Sequence, residues 1–316
     1  RLGCIGYRGI KEELACREAL SLVPTDGSIR VEVVYGLQGP FEEFAKAGNW
    51  VSNYGISTAI GGSYRSRGSL RPRFYSDPER LQERVAHLYD AGYEGLYNIS
   101  VISAGGEEKG EVERILCDFH ISMLAEWFWN SKGRDAKQFI RAWVASRGYT
   151  QLEDVGQWIE RMMPVESLLV TAMNALPDMI EAICDNKILR LGESSELEEF
   201  PDEDSLGAWI MTASRCEASA EQMGVSDMVA ESRCMGSALK VLRGIHRLSQ
   251  AVAGTDHVIV TEAWEDLTGE IEEVIAAAKG QTAVWITMPL SIAEQFDQHT
   301  TDYWKNLERS LLRWVN

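Results

Sequence analysis

Four times between Leu2 and Asn130 a short run of β-forming residues gives way to a loop and then to a segment with apolar residues at helical spacing; after Asn130 the β-forming runs stop. This alternation constrains the fold more than any other feature. Two parallel neighbours cannot be joined by a hairpin, so each strand must reach the next through a right-handed helical crossover. The clearest unit is Tyr93 to Asn130, YEGLYNISVISAGGEEKGEVERILCDFHISMLAEWFWN, a β run, a Gly-rich acidic loop and a long apolar helix ending on a Trp cluster.

Taken in order, Leu2–Gly6 reads as a first strand and Ile10–Val23 as a helix, closed by the turn Pro24-Thr25-Asp26-Gly27. Arg30–Tyr35 is rich in β-branched residues, and the helix expected over Phe41–Tyr54 carries Phe44, Ala47, Val51 and Tyr54 on one stripe. Ile56–Gly61 reads as the third strand. Asp77 then caps a helix over Glu79–Ala91 with Pro78 at its first position. Glu94–Val101 and Glu111–Trp129 complete the fourth pair. Polar or aromatic residues close all four strands, which favours a barrel with one ligand-binding mouth over an open sheet with one switch point. The expected fold class is therefore α/β, the C-terminal half of a (β/α)8 barrel over residues 1–131, followed by an all-α helical domain over 132–316.

In that second domain the expected helices are Asp135–Ser146, Leu152–Met163, Val165–Cys184, Ser205–Gln222, Asp227–Val252, Glu262–Lys279 and Pro289–Trp314. Pro164 is expected at a helix start and Pro177 at a kink. The acidic stretch Gly192–Asp204 reads as a solvated connector. The chain opens on Arg1 within a strand-like run, so the expectation is a fragment whose earlier barrel units lie upstream.

Tyr7, Arg8, Tyr35, Gln38, Tyr64, Arg65, Arg67, Asn98 and Ser100 fall at or just past the expected strand ends, where a barrel would gather them. Aromatic faces beside Arg, Asn and Gln suit a polyhydroxylated ligand, because sugar C–H faces stack on rings while hydroxyls take directional hydrogen bonds. Trp50 joins them as a substrate-shaping candidate. Arg65, Arg67, Arg71 and Arg73 make one loop locally basic, fit to read a carboxylate or sulfate or to pair with acids elsewhere in the chain. Glycosidic hydrolysis needs two carboxyl groups, and no expected strand end carries one; the catalytic residues are therefore left unassigned and expected upstream.

Other chemistries find little support. Gly3, Gly6 and Gly9 lack the spacing of a dinucleotide fingerprint, and there is no nucleophile elbow or phosphate loop. Six scattered cysteines form no metal or disulfide pattern; Cys117-x-x-His120 has no second pair, so neither metal nor cofactor is expected. A formal net charge of −17 disfavours nucleic acid and anionic membrane as partners, and no apolar run is long enough to span a bilayer. The expected partner is a carbohydrate ligand, with self-association through the helical domain as a further prospect.

The segment from Asp118 to Trp143, with Trp127-Phe128-Trp129-Asn130 ending one helix and Phe139-Ile140-Arg141-Ala142-Trp143 in the next, resembles the end of the catalytic barrel in hexosaminidases and α-glucuronidases that carry a helical C-terminal domain. The resemblance covers this junction and the order of elements around it. It implies a glycoside hydrolase acting on an amino sugar or a uronic-acid-containing glycan, with acid/base residues on strands other than these four. The alternatives left open are a non-catalytic sugar-binding or scaffold protein and, more distantly, an aldolase or isomerase barrel.

Overall fold

The computed structural model describes residues 2–7, 13–26, 29–34, 38–54, 78–97, 115–185, 203–254, 256–279, 307 and 309–311. They fall into two compact units. The first holds the described residues from Leu2 to Tyr97 and from Cys117 to Ser146; the second holds Ile115, Leu116 and those from Arg147 onward.

The first unit is built on a four-stranded parallel sheet, β1 (Leu2–Tyr7), β2 (Ile29–Val34), β3 (Val51–Tyr54) and β4 (Gly95–Tyr97), in the order β1-β2-β3-β4. Helices α1 (Glu13–Ser21), α2 (Gln38–Lys46) and α3 (Pro78–Asp90) connect the strands in turn, as the alternating pattern requires. α4 (Ile115–Trp129) and α5 (Ala136–Ser146) follow. Pro78 opens α3, where its missing N–H costs nothing.

The third strand differs from expectation. Residues 51–54 pair with β2 on one side and β4 on the other, so the helix expected over Phe41–Tyr54 stops at Lys46; the strand expected over Ile56–Gly61 lies outside the described residues. The reason is Gly48, at φ 85°, a left-handed conformation that glycine adopts without penalty. Its amide bonds Ala45 O at 2.9 Å and the next amide, of Asn49, bonds Phe44 O at 3.4 Å, closing α2 in a Schellman motif. Val51, which continues the helical stripe by spacing alone, is instead a fully buried strand residue.

α2 and α3 are tied together through Glu42. Its Oε1 accepts from His87 Nε2 at 3.0 Å and Arg84 Nη1 at 3.5 Å. Burial first and the Glu42 charge second push the Tyr93 phenol far above its ordinary range. Gly92, at φ 89°, turns the chain from α3 toward β4, and a Cβ there would stand 3.2 Å from Ala45 O, so a side chain at this turn would be strained.

α5, assigned by sequence to the helical domain, belongs to the first unit. Phe119 and Trp127 of α4 meet Phe139 at 5.5 and 5.7 Å between ring centroids, and Phe119 meets Trp143 edge-on at 5.3 Å. The Trp127 indole N–H donates to Arg134 O at 3.1 Å, and Asp135 caps α5 reciprocally with Gln138. These aromatic contacts fix α5 to α4 and move the boundary from residue 131 to Ser146.

Among the described residues the second unit is all-α: α6 (Leu152–Cys184), α7 (Glu203–Met223), α8 (Ser226–Gly254) and α9 (His257–Lys279). α6 is one helix of 33 residues where two were expected. Pro164 lies in its interior, not at a start, and the helix runs on through Pro177. An interior proline forfeits one hydrogen bond and costs roughly 3 kcal/mol. Val155, Trp158, Ile159, Met162, Met163, Val165 and Leu169 form a continuous buried stripe across Pro164, and their burial outweighs that loss. α8 is the central helix, packed against α6, α7 and α9 and buried on nearly every side. Trp158 of α6 donates its indole N–H to Ser232 of α8 at 2.9 Å, satisfying two buried polar groups at once. Most of the helix expected over Pro289–Trp314, and the connector before Glu203, lie outside the described residues; Leu307 and Leu311 are helical and buried. No described helix is long and apolar enough to cross a membrane.

Candidate functional site

The strands of a parallel sheet all point one way, so their C-terminal ends share one edge, and α/β proteins bind ligands beyond that edge. Here the register defines what stands on it. Tyr7 pairs with Val34, Val34 with Tyr54, and Tyr54 with Tyr97. One register row at the C-terminal edge therefore carries three tyrosines on four strands.

Of the sequence candidates, Tyr7 is in this row and Gln38 is the first residue of α2, the element after β2. Arg8, Tyr35, Tyr64, Arg65, Arg67, Asn98 and Ser100 lie outside the described residues, although Arg8, Tyr35 and Asn98 follow row residues Tyr7, Val34 and Tyr97 directly in the chain.

Trp50 is misplaced by the sequence reading. It immediately precedes β3, at the N-terminal edge of the sheet, opposite Tyr7. There the Arg30 guanidinium lies 4.4 Å from its ring centroid, and Trp50 O accepts from Val31 N at 3.2 Å. This is a packing role. Tyr54 and Tyr97 are what the sequence reading missed: Tyr54 was placed in a helix, and Tyr97 inside a longer strand. The alternation Val51-Ser52-Asn53-Tyr54 after Gly48 is the signal that could have found Tyr54.

The Trp-rich junction that carries the family resemblance is mostly core. Trp127, Phe139, Ile140 and Trp143 are buried, whereas Trp129 is 93% exposed. Among the described residues no group of three or more His, Cys, Asp or Glu could hold a metal ion. Cys216 and Cys234 are buried, and burial pushes the Cys216 thiol up to about 11, which suits packing and disfavours a nucleophile.

In the second unit, α7, α8 and α9 border a groove of about 560 Å³ whose lining includes the small residues Gly236, Ser237 and Ala276. Its cations are already engaged: Arg233 with Glu217 at 2.7 Å and Glu221 at 3.5 Å, Lys240 with Glu273 at 2.8 Å. Such walls offer little free charge to a ligand. The C-terminal edge of the sheet is the stronger candidate. No protein-family model, no curated protein and no solved structure matches the chain.

Proposed function

We propose that the sheet unit is the later part of a (β/α)8 barrel whose C-terminal strand edge binds a carbohydrate, in a protein that hydrolyses a glycosidic bond of an amino sugar or uronic-acid-containing glycan. The observation that supports this reading is the register row Tyr7–Val34–Tyr54–Tyr97. Aromatic rings suit the apolar faces of a pyranose, and polar residues just beyond them in the chain, such as Arg8, Gln38 and Asn98, suit its hydroxyls and any carboxylate. Sequential parallel strands joined by helices are what a barrel half requires. On this reading the catalytic carboxylates stand on strands other than these four.

One observation favours a second reading, a non-catalytic carbohydrate-binding protein whose helical domain mediates self-association. No residue of the register row is Asp or Glu, and hydrolysis requires a carboxyl pair.

A glycan array followed by calorimetry on the full chain, then assays on aryl glycosides, tests both. Tyr54→Ala and Tyr97→Ala are expected to weaken glycan binding at least about tenfold each, the scale of one lost stacking contact. Tyr54→Phe, which keeps the ring, is expected to retain most of it. Binding without turnover selects the second reading; a folded chain that binds no glycan removes both.

A further inference from the structure

Glu270 sits on α9 where that helix meets α8, and its surroundings are unusual for a carboxylate. Its Oε2 is buried and has no hydrogen-bond partner. Opposite it is Gly244 of α8, where a Cβ would come within 2.4 Å of Oε2 and 3.1 Å of Leu267 Cδ1, so the glycine makes the notch that the carboxyl fills. The nearest cation, Arg243 Nη2, lies 4.0 Å from Oε1, beyond hydrogen-bond length.

The other charges nearby are committed elsewhere. On α8, Lys240 bonds Glu273 of α9 at 2.8 Å, and Arg247 bonds Glu203 of α7 at 2.8 Å. His246, on the same helix, stands 3.4 Å from Gln250 Nε2. On its own helix Glu270 has Asp266 one turn away, a like charge. An ionised carboxylate here would lose hydration without gaining a directed partner, which is costly.

We propose that Glu270 is a protonation latch between α8 and α9: as a neutral acid it seats against Gly244 and holds the two helices together, and ionisation loosens α9. Burial, chiefly, pushes its carboxyl up to about 7; Arg243, Arg247 and Lys240 pull it down and Asp266 adds a smaller push upward. A folded-state value raised above the unfolded one gives stability that is complete below about 4.5 and is lost as pH rises toward 7. The contact therefore tightens in mild acid and slackens above neutrality, the reverse of a carboxylate held in an ion pair.

Native-state amide exchange on the full chain tests this. Opening of the α9 segment around Leu267 to Val274, corrected for intrinsic exchange, is expected to increase by roughly a hundredfold between pH 5 and pH 8 in the native protein, the scale set by such a shift. In Glu270→Gln the segment stays closed at both pH values. Gly244→Ala keeps the carboxyl but displaces it from the notch into water, and is expected to flatten the same pH dependence. A ¹³C titration of the native Glu270 carboxyl needs no variant. A midpoint near 4.5, or an undiminished pH dependence of α9 in Glu270→Gln, overturns the latch.

Discussion

The sheet unit and the helical unit are stabilised by different means. In the first, the strands are three to six residues long, and position comes from turns and helix ends: Gly48 and Gly92 redirect the chain, Glu42 ties α2 to α3, and Asp135 caps α5. In the second, helices of 21 to 33 residues pack along a central α8, and Trp158 of α6 pairs its buried indole N–H with Ser232 across the interface. The contrast teaches where each unit is vulnerable. A sheet of short strands depends on backbone geometry; a bundle depends on filled volume.

Three substitutions probe that contrast. Trp158→Ala removes the largest contribution, a 1%-exposed indole and the hydrogen bond to Ser232, and should cost the helical unit about 3–5 kcal/mol. Calorimetry with two resolved transitions checks it: the bundle's transition falls while the sheet unit's stays in place, and a shared shift would show the two units to be one cooperative block. Gly92→Ala attacks backbone geometry, forcing a side chain into a left-handed turn against Ala45 O at a cost of about 1–3 kcal/mol, read as a lowered sheet-unit midpoint in urea. Asp135→Ala deletes only the 2.8 Å bond to the Gln138 amide and should cost about 1 kcal/mol, seen as faster amide exchange in the first turn of α5.

How far the sequence reveals all this depends on the range of the interaction involved. β1 and β2 are legible because Leu2 to Tyr7 and Ile29 to Val34 are strand-like on their own, and the helix after Pro78 because its start is written in Asp77-Pro78. β3 is obscured because Val51 and Tyr54 extend by coincidence the spacing of Phe44 and Ala47, while the deciding residue is Gly48 between them. Pro164 misleads in the opposite way: its local penalty is real, but seven buried residues of α6 override it. The candidate site is the least legible part. Tyr7, Tyr54 and Tyr97 share a row only through strand register, a tertiary property, and the notch that shapes Glu270 is cut by Gly244 on a different helix.

Pro164 leaves one further mark on the molecule. With no amide at that position, the carbonyl of Glu160 has no donor within the helix, and Glu160 lies on the exposed side, where water can reach it. α6 is thus a rod of roughly 50 Å, from the rise per residue, with a soft joint about a third of the way along. Pro177 omits a second amide further along, so bending of the longest helix would concentrate at these two positions rather than spread evenly.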